Sequence, residues 1–146
     1  MDRLEKIVLV FASGLLGVFF LALLAAARLQ KIEVPPCLPP EVKPFKEGRV
    51  DTLPDGRRQL FYVAQMWRFD PEVVEVPVGK PIDIFLSAKD VTHGFYLSWS
   101  NANLMAIPGA VNAYTVTLDK PGVYPIICHE YCGSAHQNMV AYLIAQ

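Results

Sequence analysis

Apolar positions fall into two regimes along this chain. From Ile7 to Ala27 the run IVLVFASGLLGVFFLALLAAA carries no charge. At a rise of ~1.5 Å per residue, such a run spans the ~30 Å hydrocarbon core of a bilayer and predicts one transmembrane helix. A secretory signal peptide is the rival reading, since Arg3 and Lys6 form a basic start and Ala25, Ala26 and Ala27 resemble a cleavage site. Signal peptides carry apolar segments of only about 7 to 15 residues, so the length favours a retained anchor. Basic residues flank both ends, Arg3 and Lys6 against Arg28 and Lys31, and leave orientation open.

The second regime begins near Leu60, where short apolar runs alternate with Pro, Gly, Asp and Asn. LFYVAQMW (60–67), VVEVPV (73–78), IDIFLSA (82–88), GFYLSW (94–99), YTVTL (114–118), VYPII (123–127) and MVAYLIA (139–145) are rich in β-branched and aromatic residues. IDIFL and YTVTL alternate with period two, as half-buried strands do. No stretch after Ala27 sustains helical spacing for three turns. The pattern predicts an all-β domain over 60–146, a sandwich or Greek-key barrel. Between the regimes, VPPCLPPEVKP (34–44) holds five prolines and reads as an extended stalk, with 34–59 as stalk and lead-in and 1–33 as membrane anchor. Cys37, within the stalk, is read as an incidental thiol, with lipidation or an intermolecular disulfide as the alternatives.

Composition changes this picture little. A chain of 146 residues has room for one domain beyond the anchor, and the anchor accounts for much of the 53% hydrophobic content. A net charge of −1 gives no basic field for nucleic acid. From Asp70 onward seven acidic residues face three lysines, a difference of −4, a field that can steer a basic partner but is mild enough to leave apolar docking equally open.

The chemistry concentrates in CHEYCGSAHQNM, residues 128–139, between two predicted strands. Cys128, Cys132, His136 and Met139 are soft or borderline donors, which select copper or zinc over magnesium or calcium, and a thioether favours copper. A Cys128–Cys132 disulfide would leave His136 and Met139 without a role. A zinc site would need His93 or His129 as a second histidine, and a thiol redox centre would favour closer cysteines in a βαβ setting. A mononuclear blue copper site would leave one cysteine idle. Two thiolates held close can instead bridge a pair of copper ions, provided another loop supplies a second imidazole. His93, about 35 residues upstream in DVTHGFYL, is the candidate.

The motif Cys128-x-Glu130-x-Cys132-Gly133-x-x-His136-x-x-Met139, with His93 upstream and QMWRF at 65–69, resembles the dinuclear CuA domain of cytochrome c oxidase subunit II. The resemblance covers about 60–146 and implies a cupredoxin-like fold. The single helix and short length look like the B-family of bacterial haem-copper oxidases. The resemblance assigns His93 and Met139 to one copper, His136 and the carbonyl of Glu130 to the other, and Cys128 and Cys132 to both. It implies an electron-transfer subunit, with no catalysis by this chain alone, that takes electrons from cytochrome c. These pass to haem in a catalytic subunit I, where oxygen is reduced to water and protons are translocated; further small membrane subunits can accompany it. It places the domain on the periplasmic or outer face of a bacterial or archaeal plasma membrane.

The resemblance also suggests that the Glu130 side chain faces a magnesium site shared with the catalytic subunit, against the plainer reading of an exposed carboxylate. His129 is read as an exposed or supporting histidine. Trp67 and Trp99 have the ordinary reading of core aromatics, with Trp67 also the candidate for electron uptake. Phe95, Tyr124 and Ile126 are expected to keep water from the metals. Nitrous oxide reductase carries the same loop but needs a further propeller domain, and quinol oxidases share the fold without the ligands. A membrane-anchored copper chaperone or a mononuclear copper carrier is the remaining alternative.

Overall fold

In the computed structural model, which describes residues 2–30 and 43–146, the charge-free run lies inside a longer helix, α1, Arg3–Leu29. The helix starts before the apolar run because Asp2 caps it. The Asp2 carboxylate accepts from the Glu5 amide at 2.8 Å, and the Glu5 carboxylate accepts from the Asp2 amide at 2.7 Å. This reciprocal pair satisfies two of the amides that every helix start leaves without partners. No residue of α1 is buried, and its 27 residues, ~40 Å at the helical rise, are long and apolar enough to cross a membrane. Cys37 and most of the expected stalk lie outside the described residues.

The chain falls into two compact units, Met1–Val34 and Pro35–Gln146. The second unit, taken by itself, is a β-sandwich. One sheet runs β1 (Arg49–Thr52), β2 (Arg58–Gln65), β5 (Pro81–Ala88), β8 (Asn112–Thr117), with β3 (Arg68–Asp70) also on β2. The other runs β4 (Val73–Val76), β10 (Val140–Ala145), β9 (Gly122–Ile127), β6 (His93–Leu97), β7 (Asn103–Ala106). Pairings are antiparallel except β2 with β5 and β4 with β10.

The alternation in IDIFL turns Ile82, Ile84 and Leu86 into the core while Asp83 and Phe85 face outward, half-buried. Leu60 and Tyr62 on β2 face the same way, and the Tyr62 ring meets Phe95 of the opposite sheet at 5.2 Å between centroids. Phe95 in turn meets Phe69 edge-on at 5.5 Å, which closes the sandwich beneath β6.

All seven expected strands are present, with three additions. LFYVAQMWRF is two strands joined at Met66 and Trp67, because β3 folds back to pair Arg68 with Gln65 and Asp70 with Val63. β1 lies in the lead-in, and β7 returns along β6. These strands are short and carry polar residues, so their order comes from the neighbouring strand rather than from their own pattern.

The topology delivers chemistry to one end of the sandwich. His93 opens β6, Cys128 follows β9 and Met139 precedes β10, and these three strands are neighbours. The Cys128 amide donates to the Met139 carbonyl at 3.2 Å, one step beyond the Val140–Ile127 pair. The β2–β3 turn and the β5–β6 loop share that end: the Met66 amide donates to Asp90 Oδ2 at 2.7 Å.

Candidate metal centre

Cys128 and Cys132 face each other across the loop with their sulfurs 3.7 Å apart, both reduced and both 4% exposed. Around this pair the remaining candidates converge. His136, on a single 3₁₀ turn His136–Asn138, points Nδ1 at Cys132 Sγ from 3.5 Å. Met139 Sδ lies 3.8 Å from the same sulfur and is 1% exposed. The carbonyl oxygen of Glu130 lies 3.3 Å from Cys128 Sγ. His93, fully buried, brings a ring nitrogen within 4.8 Å of both sulfurs.

Which nitrogen of His93 faces the sulfurs follows from its partners. Nε2 lies 2.8 Å from the Asp90 carboxylate, which can only accept, so Nε2 carries the proton. Nδ1 is then a lone-pair donor, and it is buried with no hydrogen-bond partner. A buried imidazole nitrogen with nothing to bond is costly unless a ligand completes it. This orphaned atom, beside two thiols and a thioether, fits a soft metal ion. Each thiol would lose its proton on binding.

Asp90 is the residue that the sequence reading did not single out. Its Oδ1 accepts from His93 and from the Val91 amide at 2.7 Å, while Oδ2 accepts from Met66. Burial pushes its carboxyl up, but the hydrogen bonds from His93, Met66 and Val91 prevail and hold it below the ordinary carboxylate value. A ligand histidine commonly gives its second ring nitrogen to a carboxylate, backbone carbonyl or water, but the spacing in DVTH does not by itself mark Asp90 as that partner. The Cys132 thiol is pushed up to about 11 by burial, with further help from Cys128 and Asp90.

Trp67 and Trp99 are corrected from core aromatics. Trp99 is 76% exposed, its ring edge against Tyr124 at 6.1 Å. Trp67 is part-exposed, and its Nε1–H donates to the Cys132 carbonyl at 3.1 Å. Gly133 makes room for that indole: at φ +117° it holds a conformation unfavourable to side chains, and a Cβ there would sit 3.0 Å from Trp67 Nε1. Tyr124 is also corrected. It lies four residues before Cys128 on β9, ~13 Å away at the strand rise, and its hydroxyl bonds the Lys120 carbonyl. Phe95 and Ile126 are fully buried. Glu130 and His129 are exposed, and Tyr131 on the same loop stacks obliquely on His136 with centroids 5.9 Å apart.

Residues 56–145 match the family described as "Cytochrome C oxidase subunit II, periplasmic domain". The cytochrome c oxidase subunit 2 of Thermus thermophilus is 30% identical over 123 residues, covering 83% of this chain and 90% of the relative. A chain of a haem-copper terminal oxidase dimer solved by cryo-EM superposes with a TM-score of 0.81 at 39% identity, over 99% of this chain and 100% of that one. Auracyanin A, a blue copper protein of Chloroflexus aurantiacus, superposes with a TM-score of 0.50 at 14% identity, over 62% of this chain and 100% of that one. At that identity the likeness is one of fold, and it makes the sandwich cupredoxin-like.

Proposed function

The chain belongs to the cytochrome c oxidase subunit II family, and from that premise we propose that it carries electrons from cytochrome c, through a dinuclear copper centre at the cysteine loop, to haem in the catalytic subunit. Membership makes it a membrane-anchored subunit of a haem-copper oxidase, an oxidoreductase complex with an electron-transfer role for this subunit. The observation that carries the finer reading is the pair of reduced, buried thiols 3.7 Å apart beside the unpartnered Nδ1 of His93. One cysteine would serve a mononuclear carrier; two sulfurs this close favour shared ligation.

In this proposal Cys128 and Cys132 would hold the copper pair through their sulfurs, His93 Nδ1 and His136 Nδ1 would supply the imidazoles, and Met139 and the Glu130 carbonyl would be weak ligands. A copper pair held there supplies one-electron chemistry with little change in its surroundings. The chain's own part is to keep the donors fixed. Asp90 orients His93, the Cys128–Met139 hydrogen bond ties the two ends of the loop, and Phe95 and Ile126 exclude water from beneath. Trp67 is the proposed point of electron uptake, since its indole is exposed on one side and bonded to Cys132 on the other.

The exposed Glu130 side chain is free to face a magnesium ion shared with the catalytic subunit. In this reading the domain lies on the periplasmic or outer face, and the whole complex reduces oxygen to water in its catalytic subunit and translocates protons. An EPR spectrum of the full-length chain in detergent, loaded with copper and partly oxidised, tests the reading. Hyperfine structure from one electron shared by two copper nuclei is expected; a single-nucleus pattern would move the weight to a mononuclear carrier or a chaperone.

A further inference from the structure

We propose that His129 is a positioning residue, a ring-shaped wedge that sets the separation between the strand carrying His93 and the loop carrying the two cysteines. β6 and β9 pair antiparallel at Leu97↔Ile126 and Tyr96↔Ile127, and there the pairing stops. Continued two steps, the same register sets Gly94 opposite His129, at the point where the chains part to form the metal cleft. A Cβ on Gly94 would lie 2.6 Å from Cγ and Nδ1 and 2.7 Å from Cδ2 of His129. The imidazole therefore occupies the place of a side chain at 94, directly over the backbone. Gly94 is buried while His129 is exposed, so the ring is what covers this glycine.

Both partners of this contact adjoin donors: Gly94 follows His93 and His129 follows Cys128. His129 has no place in the ligand set. It acts through the spacing of its neighbours, where the backbone ladder no longer does so. A cleft held at fixed width keeps a ring nitrogen of His93 within reach of both sulfurs, and outer-shell groups that orient ligands typically contribute about tenfold or more to metal affinity. The inference rests on the copper reading above, and the wedge itself is a statement about ring volume.

The test uses the full-length chain in detergent as wild type, His129→Ala, His129→Phe, Gly94→Ala and the Gly94→Ala/His129→Ala double variant. Copper affinity is read by chelator competition, and EPR reads the spectrum. His129→Ala is expected to weaken copper by about tenfold and alter the hyperfine pattern. His129→Phe, which keeps a ring and removes the nitrogens, is expected to stay within about twofold of wild type with the wild-type spectrum. Gly94→Ala displaces the ring and should cost as much as His129→Ala, with the double variant no worse than either, since one contact cannot be lost twice. An unchanged His129→Ala, a His129→Phe as defective as Ala, or additive losses in the double variant would each overturn the wedge. A wild type that shows a single copper nucleus overturns the dinuclear reading instead, and the affinity ratios among variants still decide the wedge.

Discussion

Asp90 accepts three hydrogen bonds, and asparagine can replace only part of that capacity. In Asp90→Asn, His93 loses a charged partner that fixes its tautomer, and copper affinity is expected to fall by about 10- to 100-fold in a chelator competition. Met139 makes a different case. Its thioether, beside the Cys132 sulfur, is proposed as a weak ligand of the kind that tunes copper sites, so Met139→Leu should shift the reduction potential while copper stays bound; loss of copper in voltammetry samples would refute weak ligation. Cys132 supplies a linkage. Its thiol, pushed from 9.0 to about 11 by burial, by Cys128 and by Asp90, holds its proton more tightly folded than unfolded. That contribution is complete below pH 9 and is lost as pH rises through 11, so the reduced, copper-free chain should lose stability across that window. Urea midpoints measured on either side of the window check this, and Cys132→Ala should flatten the change. At this scale the side-chain candidates were legible, because donor chemistry is written in residue type, whereas the Glu130 carbonyl is a backbone atom and came only from the family resemblance. Asp90 was not singled out, since a carboxylate three residues from a histidine has no distinctive pattern until the fold turns both inward.

The β2–β3 turn shows what an element adds to its residues. QMWRF read alone continues a strand; folded back, it puts Trp67 on Cys132 and the Met66 amide on Asp90, so one turn touches the site by two hydrogen bonds. Trp67→Phe keeps an aromatic ring and removes the indole donor. Electron uptake from cytochrome c is expected to slow by about tenfold or more, given that small misplacements at such contacts are costly, while the copper spectrum stays that of wild type. Stopped-flow reduction with the spectrum recorded on the same sample checks both. The strands themselves were legible where burial imposes a pattern, as in IDIFLSA. β1 (RVDT), β3 (RFD) and β7 (NLMA) were not, because strands of three or four residues are held by the edge they join. The parallel pairings of β2 with β5 and β4 with β10 depend on long connections that no local pattern encodes.

Across the whole strand-bearing unit, charge and apolar surface are distributed differently, and this decides how a donor should dock. The mild excess of acidic residues after Asp70 left steering of a basic partner and apolar docking equally open. At the metal end the exposed large hydrophobic side chains are Met66, Trp67, Val91, Ile107 and Tyr131, contributed by four separate loops, while the exposed charges of those loops and their edges, Arg68 and Lys89 against Glu130, are few and mixed in sign. Asp90, also at this end, is engaged by His93 and two backbone amides and has little free capacity to attract a cation. Elsewhere Arg57 pairs with Asp55 and Asp83, and Arg49 with Asp51. Exposed charges are screened beyond ~10 Å at 0.1 M salt, so any steering must come from charges at the docking end itself. The proposed cytochrome c encounter is therefore expected to rest on apolar contact, with its second-order rate changing less than about threefold between low and physiological ionic strength. A steep fall with salt in stopped-flow experiments would restore electrostatic steering. Replacing exposed Tyr131 by Ser should then separate the two mechanisms: apolar docking predicts a slower encounter at every salt concentration, whereas steering predicts no change.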